Sequence, residues 1–345
     1  MEGEKSEDER LILIPLSNKN YAGFILHQFR LFCSLGSYLW GRRKKNLCMF
    51  VRYHPAMLAP LIFSYLFDIP FSMRTGSVLP SIDFYNKNPG TIIFHCIKWV
   101  LGLFYRKASS IVTVTEKTKQ WVEETYKLDP NKILVVPNAA DTSLVYPEPA
   151  DRKKWNLPEN KFVFGFVGAI YEAQGLSTIF HALGLLKKNQ EEIPYLFIVG
   201  DGEYVSYLKS LSEELGFADR LIWAGNISHE QVRSAINSCD MMLAPNQKKD
   251  LEWQGSSSLK LWEYLACDKP VLASEFKDHQ FLEEFNLGRM VEPDNIELWA
   301  KTLATEAERK DFLLQGRGEK FIVEEHSYKL VVQKFISISF GLKMV

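Results

Sequence analysis

The nineteen residues Ser256-Ser-Ser-Leu-Lys-Leu-Trp-Glu263-Tyr-Leu-Ala-Cys-Asp-Lys-Pro-Val-Leu-Ala-Ser274 combine a polar helix start, one acidic side chain and an apolar strand. Ser256, Ser257 and Ser258 precede a helical run whose first turns hold Leu259 and Lys260. Unpaired backbone N–H groups and the positive end of the helix dipole suit an anion such as pyrophosphate at that start. Glu263 has the charge and reach to accept hydrogen bonds from paired ribose hydroxyls. Lys260 shares its helical face, where it either pairs with Glu263 or meets a phosphate. The same pattern also fits a capped amphipathic helix that feeds a sheet strand.

Elements able to position such a helix alternate along the chain. In the first half, apolar runs at Leu11 to Leu16, Leu47 to Tyr53, Ile69 to Arg74 and Ile111 to Val114 read as strands. Helices are expected over Phe24 to Trp40, in a segment ending near Phe67, over 90–107, and over Thr115 to Tyr126 with a threonine cap. The pattern restarts after the polar stretch Glu148 to Asn160, with strands near 162–167, 195–199, 221–223, 240–244, 270–273 and 288–291. Strand and helix in regular alternation predict α/β architecture: two doubly wound, Rossmann-like parallel sheets, with ligands at the carboxyl ends of the strands in a cleft that the two units face. The expected domains are 1–147 and 148–325, with a terminal helix from about His326 to Ser339 that crosses back onto the first domain or caps the second.

Residues in that order resemble a known family. Ser256 to Ser274 is similar to the signature of family 4 glycosyltransferases of the GT-B architecture. Val135-Val-Pro-Asn138-Ala-Ala-Asp141 resembles the interdomain stretch of that family. Phe164-Gly-Phe-Val-Gly168 with Gln174-Gly175-Leu176 looks like its first donor-domain strand and phosphate loop, and Ile198-Val-Gly-Asp201-Gly202 like the second strand turn. The resemblance spans roughly 110–335 and implies a hexosyltransferase-like enzyme of cell-surface polysaccharide synthesis. Such an enzyme retains anomeric configuration, needs no metal or other cofactor, and takes a nucleotide-diphosphate sugar as donor substrate. It further implies that Gly168, Gln174, Ser256 to Lys260 and Glu263 hold the donor, and that backbone contacts at Asn226 and Ile227 hold its base. The last two also fit a plain loop.

The chain departs from the family where cations grip the diphosphate, because Ala169 and Gln174 stand where arginine and lysine are usual. Gln174 still donates hydrogen bonds, without the charge assistance that roughly doubles their strength. Gly255 occupies the place of the first family glutamate, which makes Glu252, beside Trp253, the substitute at the donor sugar. Arg52, Tyr53 and His54 sit at the carboxyl end of one expected strand and Arg74 at the end of the next. Catalytic roles are expected of Glu252, His54 and Arg74, and acceptor contacts of Arg52 and Tyr53; ion pairing and turn formation are the competing roles. Gly23 is either a donor-binding position, where its backbone lets the ligand approach closely at a strand-to-helix crossover, or a turn glycine. The altered clamp leaves a second reading open, a non-catalytic partner that binds sugar nucleotides or glycans.

Bulk properties fit this scale. A chain of 345 residues, 46% hydrophobic and 24% charged, suits about two soluble domains. The net charge of −1 divides into +6 over residues 1–147 and −7 over the remainder. A basic first half points to an anionic surface or acceptor, and no nucleic-acid-binding motif accompanies it. Leu31 to Trp40 followed by Arg42-Arg-Lys-Lys45, and Trp99 to Lys107, pair aromatic runs with basic ends, as core helices or membrane-docking segments do. The second case makes a lipid-linked glycan the acceptor. Cys33, Cys48, Cys96, Cys239 and Cys267 are scattered and read as free thiols, and the six histidines other than His54 lack metal-ligand spacing and read as structural. The charged opening MEGEKSEDER is unlike a signal peptide, so the expected location is cytoplasmic, with peripheral contact on the inner face of the plasma membrane as its extension.

Overall fold

The computed structural model describes residues 32–41, 48–52, 59–75, 92–249, 258–309 and 312–340. The chain divides into two compact units, one running to Val135 and the other from Val136 to Ile338. The expected strand at Leu11 to Leu16 lies outside the described residues.

The first unit runs through a helix at 32–41 (α1), Met49–Arg52 (β1), Ala59–Phe67 (α2), Phe71–Thr75 (β2), Ile92–Lys107 (α3), Ser110–Thr113 (β3), Glu116–Tyr126 (α4) and Ile133–Val135 (β4). Its strands pair in parallel in the order β1-β2-β3-β4. The reversal that would make this sheet doubly wound does not occur among the described residues. Buried Phe71, Met73 and Ile111 pack against Leu101 and Phe104 of α3. The expected threonine cap is present: Thr115 Oγ1 accepts from the Thr118 N–H at 3.0 Å, and α4 ends on Lys127 in the left-handed region.

The second unit alternates Val163–Val167 (β5), Leu176–Lys188 (α5), Tyr195–Val199 (β6), Val205–Glu214 (α6), Leu221–Gly225 (β7), His229–Asn237 (α7), Met241–Ala244 (β8), Leu259–Ala266 (α8), Val271–Ser274 (β9), Phe281–Glu284 (α9), Gly288–Val291 (β10) and Ile296–Arg309 (α10). Arg317–Phe321 (α11), a π-turn at Ile322–His326 and Tyr328–Phe340 (α12) follow. The six strands are parallel in the order β10-β9-β8-β5-β6-β7, a doubly wound sheet that reverses between β5 and β8. Strands such as Val-Phe-Gly-Phe-Val and Met-Met-Leu-Ala are buried throughout because helices cover both faces. As far as Ile338, α12 groups with the second unit, tied there by hydrogen bonds from the Tyr328 N–H to the Ala140 carbonyl (2.8 Å) and from the Ala140 N–H to the His326 carbonyl (3.2 Å).

Candidate functional site

The reversal between β5 and β8 marks where ligands of such sheets bind, outside the carboxyl ends of the strands. The two strands pair only at Phe164/Met241 and Gly165/Met242, then part. Beyond that point Tyr264 of α8 takes over as partner to β5. Its hydroxyl accepts from the Val167 N–H at 2.9 Å and donates to the Val167 carbonyl at 3.0 Å. The chain leaving β5 turns at Gly168 and re-enters a helix at Gly175, whose φ is +71°. A Cβ at Gly175 would lie 1.7 Å from the Pro245 carbonyl oxygen, so only glycine lets the loops after β5 and β8 approach this closely.

Helix α8 presents three polar side chains at i, i+3 and i+4 spacing: Lys260, Glu263 and Tyr264. Lys260 donates to the Gln174 amide oxygen, with its ammonium 4.5 Å from the Phe166 ring centroid. It makes no salt bridge with Glu263, so the internal ion pair allowed by the spacing does not form. Burial pushes the Lys260 amine down to about 7. Glu263 is half-buried; burial raises its carboxyl pKa and the nearby His229 at the start of α7 partly opposes the rise. Among the described residues nothing hydrogen-bonds the Glu263 carboxylate. Asn226 and Ile227 occupy the loop between β7 and His229, exposed and half-buried respectively, so Glu263 and the expected base-binding loop lie on the same side. The loops after β6 and β7 are joined by a hydrogen bond from the Gly200 N–H to the Gly225 carbonyl at 2.8 Å.

The helix starts where the three serines end. The first helical residue is Leu259, with Ser258 as a cap that makes no side-chain hydrogen bond, while Ser256 and Ser257 lie outside the described residues. Gly23, Tyr53, His54 and Glu252 lie outside them too. Gly168 and exposed Ala169 open the loop after β5, and Gln174 is buried at its end. In the first unit Arg52 ends β1 and is the cross-strand neighbour of half-buried Arg74, the penultimate residue of β2.

Three participants were not evident from residue type. Phe166 lies under Lys260, and Tyr264 reaches β5; the spacing of Tyr264 from Lys260 was the available signal, whereas a strand phenylalanine carries none. Asn246, after β8, keeps a buried side-chain oxygen without a partner while its carbonyl accepts from Ser274 Oγ at 2.7 Å. His279, read as structural, is fully buried with Nδ1 2.7 Å from the Ser274 carbonyl, and burial lowers its pKa. His229 belongs to the site through Glu263. No cluster of three metal-ligating side chains occurs among the described residues. Cys33, Cys48, Cys239 and Cys267 are free thiols.

A sequence model described as glycosyl transferases group 1 matches residues 147–310, and one described as glycosyltransferase family 4 matches residues 51–144. Residues 147–310 form a group 1 glycosyltransferase domain. Among relatives, the 2-deoxystreptamine glucosyltransferase of Streptomyces kanamyceticus is 25% identical over 227 residues, 63% of this chain and 56% of that protein. The chain spans 39% to 61% of the first curated relatives it matches. Among solved structures, HepE of Anabaena in complex with UDP superposes with TM-score 0.71 at 16% identity, covering 94% of this chain and 85% of that one. WaaG, a glycosyltransferase involved in lipopolysaccharide biosynthesis, superposes with TM-score 0.68 at 15% identity, covering 99% and 89%. The fold class is therefore that of GT-B glycosyltransferases, two parallel-sheet α/β domains.

Proposed function

We propose that this protein transfers a sugar from a nucleotide-diphosphate sugar to a glycan or lipid-linked acceptor in cell-surface polysaccharide synthesis, without a metal and with retention of configuration. The observation that carries the reading is the placement of Lys260 on Gln174 at the end of the loop after β5, with Glu263 one turn further along α8 beside the β7 loop. Leaving-group charge needs a cation or hydrogen-bond donors, and Lys260 supplies the cation that the loop itself lacks. Glu263 accepts from ribose hydroxyls, the β7 loop at Asn226 and Ile227 borders the base, and the unsatisfied Asn246 oxygen accepts from a sugar hydroxyl. HepE was solved with UDP and with UDP-glucose, which supports a nucleotide sugar as the donor here. Arg52 and Arg74, adjacent at the carboxyl ends of β1 and β2, are assigned to the acceptor.

The lipid-linked form of the acceptor is supported by exposed apolar side chains in the first unit. Trp40, Tyr65, Leu66 and Trp99 are each at least 60% exposed, and Lys107 lies 5.0 Å over the Tyr65 ring. No helix among the described residues is long and apolar enough to cross a membrane, and the contact proposed is a peripheral one on the cytoplasmic face. Co-sedimentation with anionic but not neutral vesicles is expected; equal sedimentation with neither would remove the membrane part.

A thermal-shift screen against UDP-, GDP-, ADP-, dTDP- and CMP-sugars, with and without EDTA, tests the donor site. One nucleotide class should stabilise the protein regardless of EDTA and be released slowly by hydrolysis, and Glu263→Ala should abolish the shift without unfolding the chain. Stabilisation with no release under any acceptor condition would favour the non-catalytic binding role, which Ala169 and Gln174 speak for. No shift with any nucleotide would overturn the proposal.

A further inference from the structure

Lys260 has an unusual set of neighbours for a cation. From β5 it faces the Phe166 ring, and from the loop that follows β5 it faces the neutral Gln174 amide. From the turn after β9 it faces His279, fully buried, whose charged form Lys260 disfavours. Asp278 acts on His279, and on its own helix Glu263 couples to His229. Tyr264, also on α8, is engaged with Val167. Among the described residues, no carboxylate pairs with Lys260. An amide oxygen and a ring face stabilise an ammonium only in part, and they do so where the side chain is half-buried.

A nucleotide-diphosphate sugar brings two phosphate charges to this end of the sheet, a counter-charge that no described side chain gives to Lys260. We infer that donor binding is coupled to uptake of a proton by Lys260, so that the site closes its charge balance only when amine and diphosphate arrive together. The inference rests on the donor-site reading above and adds how that site is regulated. Before a donor binds, burial holds the amine near 7, so that above neutrality a growing fraction is unprotonated. Beside a diphosphate its pKa rises toward the ordinary lysine value. Proton linkage then sets the sign: donor affinity is level in mild acid and falls as pH rises past about 7, by up to about tenfold per pH unit, until the bound-state pKa is reached. The free amine takes its proton from solvent, and no bond to the ligand forms or breaks.

The test is titration calorimetry of the full chain with UDP-glucose, whose esterified diphosphate has no ionisation near neutrality, beside GDP-, ADP- and dTDP-glucose. Running each pH in two buffers of different ionisation enthalpy counts the protons. Uptake approaching one proton per site is expected at about pH 8.5, and almost none at about pH 6. Lys260→Arg keeps a permanent cation and should bind with a flat pH profile and no uptake. Gln174→Glu places a carboxylate on the amine, so it should bind less tightly and also lose the uptake near neutrality; it serves if the arginine variant does not fold. Binding by the parent with no uptake and no pH dependence overturns the inference while leaving the donor reading intact. Uptake that persists in Lys260→Arg or Gln174→Glu overturns it as well. Failure of all four nucleotide sugars to bind overturns both readings.

Discussion

The hydroxyl of Tyr264 bonds both backbone groups of Val167, 2.9 Å from its nitrogen and 3.0 Å from its oxygen, at the point where β5 has lost β8 as a neighbour. A side chain thus completes the strand at the open side of the crevice. It also locks α8, and with it Lys260 and Glu263, to the end of β5. Because burial pushes the phenol pKa well above its ordinary value, the hydroxyl remains a donor at all working pH values.

Tyr264→Phe removes that partner and leaves a buried N–H and C=O of Val167 unsatisfied. A loss of about 1–3 kcal/mol is expected, read as a lower denaturant midpoint at unchanged slope. Nucleotide affinity should fall with it, since the helix that carries both binding residues is no longer pinned.

Gly175→Ala should be the more damaging of two matched glycine changes. Gly175 and Gly216 share positive φ values, +71° and +75°, but a Cβ at Gly216 meets nothing nearer than Lys187 Cε at 4.0 Å, whereas one at Gly175 strikes the Pro245 carbonyl. Gly216→Ala then costs only its backbone strain, about 1 kcal/mol. Gly175→Ala must also push apart the loops after β5 and β8, so thermal denaturation should separate the two variants and donor binding should fail only in the second.

Transposing the contact between Gln174 and Lys260 should preserve the site. Their side chains meet, so Gln174→Lys combined with Lys260→Gln returns an ammonium to nearly the same point. Lys260→Gln alone should weaken nucleotide binding about tenfold or more, the scale of one charge-assisted hydrogen bond. The double variant should recover most of that loss in a binding cycle. No recovery would mean that the position of the helix-borne cation, rather than its charge alone, is decisive.

Stability should carry the mark of Lys260 as well. Its folded-state pKa of about 7 lies below the ordinary value of 10.5, so the unfolded chain holds this proton more tightly than the folded one. The group therefore penalises folding fully below about 7, and the penalty fades as pH rises toward 10.5, at no more than about 1.4 kcal/mol per pH unit. Lys260→Met should melt higher than the parent at neutral pH, with the gap closing in alkali.

His326 predicts the opposite limb. It stacks on Trp262 with ring centroids 4.2 Å apart, its Nδ1 is buried without a partner, and burial lowers its pKa to about 4. The folded state thus resists a proton that the unfolded state accepts below about 6.5, and stability is lost as pH falls from there toward 4. His326→Phe keeps the stack and should flatten that acid limb in a melting series.

Much of the architecture was legible because its signals are local. Runs such as Val163–Val167 and Tyr195–Val199 are apolar on both faces, which only a covered parallel strand requires, and Thr115 announces α4 by its hydroxyl. The second-unit strands accordingly fall within a residue or two of their expected places. The short strand Ile133–Val135 was not among the expected strands, since three residues carry no periodicity. The segment from Val136 to the polar stretch groups with the second unit, where backbone hydrogen bonds join Ala140 to His326 and Tyr328, a pairing between residues far apart in the chain that no local pattern announces.

The sequence by itself determined the kind of chemistry: an acidic residue and a lysine on one face of a helix, ahead of a buried strand, with glycines where loops must turn. Those features follow from residue type and spacing, which any conformation of the chain preserves. Only the tertiary structure decided which groups meet. Whether Lys260 pairs with Glu263 or reaches Gln174, whether Glu263 faces the β7 loop, and that Tyr264 replaces a missing strand at Val167 all depend on where α8 lies across the sheet. Contacts between residues 86 and 97 positions apart are set by packing, and no local pattern encodes them.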